Sequence, residues 1–371
     1  MNVLFLLPRW SRVPVGGYGV VYCHADALAA RGHQVSVLHW APVTDRPWRG
    51  VAAEARRRAL AGGDAQAPSR WHQHGRGVRV RSTLTLPRRW EPGLAVVGTS
   101  WRTVEAVARR AEPGWGLAFL QSFETWSGPA ARVEASWRLP VHKLVIAGWL
   151  ADKAAELDAG PVTLVPNFVH DQLHDQLDRA GQASAVPRDP NRVAMLWHTH
   201  RVKGSDVGMA ALALAKAQHP QLSASVFSTY PRPAGVPGWV GWTVLPSRPQ
   251  LRSLLDGCAM FLAPGRLEGW ALPPAEAMSR GCALVATDIG GHRDYAEHDR
   301  TALLAPSEDP AALAAAVVEL ARDPARARRL AAAGRERIAG FTLAASSLAM
   351  ENALEQLAGT RPGPLLRTGA R

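Results

Sequence analysis

Short, wholly apolar runs alternate along this chain with stretches of helical length, and that alternation leaves few folds open. Residues 3–7 (Val-Leu-Phe-Leu-Leu) form an unbroken apolar run stopped by Pro8, the pattern of a strand covered on both faces in a parallel sheet. A glycine-rich turn follows, Gly16-Gly17-Tyr18-Gly19. The next stretch places Val21, Ala25 and Leu28 on one helical face and stops at Gly32. Residues 34–38 supply a second strand, which completes a strand–helix–strand unit. Apolar runs at 94–97, 117–120, 144–146 and 164–165 continue the series. After a polar stretch with Pro187 and Pro190, a second series starts at 193–196 and recurs at 223–227, 260–262 and 283–286. Parallel strands need crossovers, so the expected fold class is α/β, with two doubly wound domains. Their expected bounds are 1–170 and 192–345, joined by a linker over 171–191. Residues 346–371 are expected to form a helix returning toward the N-terminal domain and a frayed Gly/Pro/Arg-rich tail. Asp309-Pro310 and Asp323-Pro324 each place a capping acid before a proline at the first helical position, so two helices are expected to open there.

A length of 371 residues suits two domains. The three cysteines, Cys23, Cys258 and Cys282, are far apart and form no Cys-x-x-Cys pair. That excludes a disulfide framework or a cysteine-based zinc site and points to the cytoplasm. No apolar run approaches the roughly 20 residues of a membrane helix, and the N-terminus lacks the basic region of a signal peptide. The net charge of +12 favours an anionic partner. Arginines cluster at 56–58, 76–89 and 322–337. In the last cluster acids mix in at helical spacing, as on a solvated face. Arg76, Arg79, Arg81, Arg88 and Arg89 have no acid among them. They read either as a surface for an anionic acceptor or the inner face of an anionic membrane, or as plain solvated arginine.

Glu268 and Glu276 bracket Glu268-Gly269-Trp270-Ala271-Leu272-Pro273-Pro274-Ala275-Glu276. This turn is expected to enter a short helix over 275–280, ended by Gly281, with a strand following. A helix N-terminus offers free amides to an anion, whereas carboxylates accept hydrogen bonds from hydroxyls. Together they suit a nucleotide sugar. On spacing alone, an ordinary β-loop-α connection with two solvated glutamates fits equally well.

Residues 260–305 resemble the donor-binding segment of family 4 glycosyltransferases, whose pattern is Glu-Gly-Phe-Gly-Leu-Pro, two residues, then Glu-Ala-Met. Here Trp270 replaces the Phe and Ala271 the second Gly. Thr287-Asp288-Ile289-Gly290-Gly291 and Asp294-Tyr295 resemble the next element, and Pro166-Asn167-Phe168-Val169-His170 the family's domain junction. The resemblance implies two Rossmann-like domains facing across a cleft (GT-B) and a retaining sugar transfer from a nucleotide diphosphate. It implies ribose binding by Glu276, sugar-hydroxyl binding by Glu268, and phosphate contacts from Lys203, from Gly16 and Gly17, and from the Ala271–Leu272 amides, with Trp270 close to the site. In His198-Thr199-His200-Arg201-Val202-Lys203-Gly204, Lys203 takes the family lysine position, but His198 stands where the family has arginine. Arg201 or a protonated His198 then supplies the second charge. Where relatives carry an acceptor-side histidine this chain has Gln121, with Glu124 nearby. The implied partners are a nucleotide sugar and a glycan, lipid-linked or small-molecule acceptor in polysaccharide or glycoconjugate synthesis.

No metal is implied, because there is no Asp-x-Asp pair and cationic side chains take the place of a divalent ion. Nor is any cofactor implied beyond the co-substrate; Tyr22 breaks the Gly-x-Gly-x-x-Gly dinucleotide pattern after Gly17-Tyr18-Gly19. Two alternatives stay open. One is a sugar-nucleotide epimerase or phosphorylase on the same fold. The other is a basic nucleic-acid-binding protein, which leaves the Glu268–Glu276 motif without a role.

Overall fold

A computed structural model describes residues 1–41, 71–75, 77–169 and 188–359. Its contacts divide into two units: Met1–Ile146 with Leu150–Pro166 and Ala344–Arg371, and Ala147–Trp149 with Asn167–Leu343. Each is built on a parallel sheet with helical crossovers, so both domains are Rossmann-like.

The first unit orders its strands β3-β2-β1-β4-β5-β6-β7. These are β1 (Asn2–Leu7), β2 (Gln34–Trp40), β3 (Val78–Thr83), β4 (Leu94–Gly98), β5 (Gly116–Leu120), β6 (His142–Val145) and β7 (Val162–Leu164). Its helices are α1 (Gly16–Ala30), α2 (Trp101–Arg110) and α3 (Ala130–Trp137), followed by α4 (Gly148–Glu156), whose first two residues group with the second unit. Leu6, Leu7, Phe5, Val96, Val97 and Phe119 are closed to solvent, as strands covered on both faces demand. β3 escapes an apolar-run reading because it is an edge strand. Val80 points inward while Arg79 and Arg81 stay exposed, and charged residues blunt such an edge. Arg76 and the 56–58 cluster lie outside the described residues.

The second unit orders its strands β10-β9-β8-β11-β12-β13. These are β8 (Asp189–Trp197), β9 (Ser223–Ser228), β10 (Val240–Val244), β11 (Cys258–Ala263), β12 (Ala283–Thr287) and β13 (Ala302–Ala305). A 3₁₀ turn (Arg201–Lys203) precedes α5 (Ser205–Gln218). Then come α6 (Arg248–Asp256), α7 (Leu272–Ser279), α8 (Gly290–Arg293), α9 (Pro310–Arg322) and α10 (Pro324–Ile338). The Asp309 and Asp323 carboxylates accept from the amides of Ala312 and Arg326, as capping acids should. β8 begins at Asp189, four residues before the apolar run. Pro190 is tolerated there because pairing with β9 starts only at Arg192. Of the expected linker, residues 171–187 lie outside the described residues.

The final helix, α11 (Leu343–Gly359), packs with the first unit from Ala344 onward. Glu351 accepts from Arg31 at 2.5 Å and from His33 at 2.8 Å. Ser346 and Ser347 approach the His24 ring, which is fully buried on α1 and meets Phe119 edge-on at 5.5 Å. Among the described residues no helix is long and apolar enough to cross a membrane.

Burial drives the His24 pKa down from 6.5 to about 3. The unfolded chain therefore takes up this proton first, and stability falls as pH drops from about 6.5 toward 3, by at most ~1.4 kcal/mol per unit. A His24→Leu chain should lose less stability than the native chain between pH 6.5 and 4 in urea unfolding. Parallel pH curves would mean that His24 is protonated in the folded state without cost.

Candidate active site

In each sheet the strand order reverses once, between β1 and β4 and between β8 and β11. The carboxyl ends of strands at such a reversal leave a crevice that crossover helices do not fill. In the second unit the loops after β8 and β11 meet there with no space between them. Gly204 has φ +64°, and a Cβ on it would lie 1.8 Å from the Pro264 carbonyl oxygen. Val202 accepts from the Arg266 amide at 2.7 Å. The Arg266 guanidinium reaches Asp206 at 2.7 Å, Glu308 at 2.5 Å and the Arg201 carbonyl at 2.7 Å. This clamp brings Lys203 Nζ to 2.9 and 2.8 Å from the two carboxylate oxygens of Glu268. The sequence motif did not single out Arg266, although it stands two residues before Glu268.

The two candidates for a second charge are placed differently. The Arg201 side chain is 82% exposed, with Glu308 at 3.9 Å as its ion-pair neighbour. His198 is tied by its backbone N–H and carbonyl to the Ser205 hydroxyl. Its Nδ1 accepts the His200 amide at 2.9 Å, so the neutral ring carries its proton on Nε2. Burial lowers its pKa, Lys203 and His200 lower it further, and Glu268 opposes them. His198 thus offers a hydrogen bond from Nε2, and burial with Lys203 and His200 works against its charged form.

α7 starts at Leu272, three residues earlier than expected. Pro273 and Pro274 occupy first-turn positions where no N–H is needed, and Gly281 (φ +85°) follows its end. The two prolines remove two of the usual free amides. Those of Ala271 and Leu272 remain and have no acceptor among the described residues. Ala271 itself is left-handed, with φ +36°. Its carbonyl accepts from Tyr295 Oη at 3.1 Å, and Trp149 Nε1 donates to the Gly269 carbonyl at 2.8 Å. Trp270, expected near the ligand, is only 2% exposed and packs on Tyr295 and Phe341 at 4.9 and 5.2 Å between ring centres. It supports the turn from beneath and offers no stacking face.

Glu276 lies one turn along α7, half-buried. Its carboxylate has no hydrogen-bond partner among the described residues, and burial raises its pKa to about 7 against the opposing pull of Arg248. Glu268 is pressed by α8: a Cβ on Gly291 would lie 2.4 Å from the Glu268 carbonyl oxygen, and one on Gly290 would lie 2.5 Å from the Trp149 ring. Lys203, Glu268, the two amides and Glu276 thus all sit on loops and a helix start at the carboxyl ends of β8 and β11.

In the first unit, Gly16 and Gly17 open α1. Gln121 Nε2 donates to the Gly17 carbonyl at 3.0 Å, so this side chain is engaged in holding the turn. Glu124 accepts the Trp101 amide at the start of α2, at 3.0 Å. Burial raises its pKa to about 7, with that amide opposing. All four belong to the carboxyl end of the first sheet.

Residues 239–337 match the family described as Glycosyl transferases group 1. The chain is 28% identical over 164 residues to the uncharacterized glycosyltransferase YqgM of Bacillus subtilis, across 41% of this chain and 46% of that protein. The match spans less than half of that relative's length. Among solved structures, sucrose-phosphate synthase from Thermosynechococcus elongatus superposes with a TM-score of 0.74 at 18% identity, covering 97% of this chain and all of that one. Anabaena HepE in complex with UDP-glucose gives 0.65 at 13% identity, covering 95% and 99%. The two-domain Rossmann-like fold is common to all three structures.

Gly291→Ala should displace the Glu268 backbone and break its pairing with Lys203, since the three atoms it would meet, Glu268 O, C and Cβ, are none of them a flexible side-chain end. The expected cost is about 1–3 kcal/mol of stability, with ligand binding in the second unit impaired while far-UV circular dichroism stays native. Unchanged melting and unchanged binding would show that α8 does not hold Glu268 in place.

Proposed function

We propose that this protein is a retaining glycosyltransferase that binds a nucleotide-diphosphate sugar at the carboxyl end of its second sheet. The observation that carries this is Glu276, a half-buried carboxylate without a hydrogen-bond partner among the described residues, placed on the helix whose first two amides are also unused. A buried polar group left unpaired is costly; a ligand offering vicinal hydroxyls beside a phosphate would pair both. The group 1 match over 239–337 covers these residues, and HepE, of the same fold, holds UDP-glucose.

In this reading the diphosphate lies against Lys203, the Ala271 and Leu272 amides and the His198 Nε2–H. Glu268, released from Lys203, accepts sugar hydroxyls, and Glu276 accepts those of the ribose. As the bond from the anomeric carbon to the diphosphate breaks, negative charge grows on the leaving oxygen, where fixed donors stabilise it most. The acceptor oxygen bonds to the same face of that carbon and its proton passes to the departing phosphate, so no protein base is required. A glycan or lipid-linked acceptor in polysaccharide or glycoconjugate synthesis completes the proposal.

Lys203→Ala should lower turnover roughly a hundredfold or more with the fold intact. Nucleotide binding should weaken as pH falls from 8 to 6, because protonating Glu276 removes the charge that strengthens its hydrogen bonds from hydroxyls, and Glu276→Gln should abolish that part of the pH dependence. Calorimetry with UDP and other nucleoside diphosphates checks both. Identical affinities and pH profiles for native and Glu276→Gln protein would remove Glu276 from the site.

A further inference from the structure

The first unit holds a cluster that the transfer reaction does not use. Asp26, on α1, faces Trp71-His72-Gln73-His74-Gly75, far along the chain. His72 Nε2 lies 2.8 Å from Asp26 Oδ2, and His74 Nδ1 lies 3.7 Å from Asp26 Oδ1. The Gly75 amide donates to Asp26 Oδ1 at 2.9 Å. One nitrogen of each histidine and one carboxylate oxygen all fall within 4.8 Å of one another. Both ring nitrogens of His74 are shut off from solvent and, beyond the 3.7 Å approach to Asp26, have no hydrogen-bond partner among the described residues. That is an unusual state for an imidazole, which ordinarily satisfies at least one nitrogen when buried. The Tyr22 ring backs the pair, 5.0 Å from His72 and 4.7 Å from His74 between ring centres.

We propose that Asp26, His72 and His74 form a site for one divalent transition-metal ion, of the zinc class, that fastens residues 71–75 to α1. Two imidazoles and one carboxylate are borderline ligands that suit zinc and leave a fourth position for water. Bonds of about 2.0–2.2 Å put tetrahedral ligands roughly 3.4 Å apart, so small side-chain rotations close the present spacing around an ion. His74 would gain the partner it lacks. The Gly75 amide already orients the carboxylate from behind, as an outer hydrogen bond to a ligand does. The site shares no residue with the Lys203–Glu268 region and does not depend on whether that region binds a nucleotide sugar. It escapes a sequence reading because its acid lies 46 residues before the first histidine.

The test uses the full chain stripped with a chelator and titrated with Zn²⁺ by calorimetry, with Co²⁺ absorption reporting the ligand geometry. One equivalent should bind, raise the melting temperature and give the intense visible bands of four- or five-coordinate cobalt. His74→Gln gives up the 3.7 Å approach to Asp26 and the packing on Tyr22, so far-UV circular dichroism checks that it folds like the native apo-protein. It should nevertheless lose more affinity than the roughly 10–100-fold that removal of an outer-shell partner costs. His33→Gln, in the other group of possible ligands among the described residues, His33, Glu351 and Glu355, should bind metal as the native chain does. Absence of saturable binding, or equal binding by His74→Gln and the native chain, would overturn the site. Binding lost in His33→Gln alone would overturn it as well.

Discussion

The loops after β8 and β11 touch backbone to backbone, and the arrangement of the second unit's site follows from that contact. With the Pro264 carbonyl occupying the space where a side chain at 204 would be, the chain must turn left-handed there, and only glycine does so without strain. Gly208, one turn later and helical, is constrained by space alone: a Cβ there would meet Met195 Sδ and Pro264 at under 3 Å. Because the loops are this close, a lysine from one and a glutamate from the other pair without either side chain stretching. Arg266 then adds charge-assisted hydrogen bonds on the outer side.

The motif turn shows a second constraint resolved in an unusual way. Ala271 occupies a left-handed conformation that costs a non-glycine residue on the order of 1 kcal/mol. The surroundings enforce it: Tyr295 and Trp149 each hold a carbonyl of the turn, and Trp270 is locked beneath. The turn leaves the Ala271 and Leu272 amides without an acceptor among the described residues, and the two prolines after them supply no further donors.

Much of the architecture was legible because buried parallel strands are written as unbroken apolar runs. Residues 3–7 and 283–286 announced β1 and β12 for that reason. β3 and β10 were not, since an edge strand is solvated on one side and tolerates Arg79, Arg81 or Gly241. At the candidate site, Lys203, Glu268 and Glu276 could be picked out from spacing and resemblance because each lies within a few residues of its motif. Arg266 and Trp149 could not, and Tyr295 could be named in its motif but not given its role, because what they do depends on neighbours brought close only by folding. Arg201 and His198 show the same limit: whether a side chain carries charge toward a ligand depends on the backbone amide at its ring nitrogen or on the solvent around its guanidinium.

The Lys203–Glu268 pair also acts as an internal ligand. Lys203 already has a carboxylate partner, so in the proposed reaction an arriving phosphate would exchange one anion for another rather than meet a bare cation. A simple anion that took Lys203 would strand Glu268, half-shielded from water, without a partner. A sugar nucleotide would bring hydroxyls to the displaced carboxylate along with its phosphates. On that proposal the exchange favours the two-part ligand over either half alone, and selectivity is set by what the displaced group is given in return.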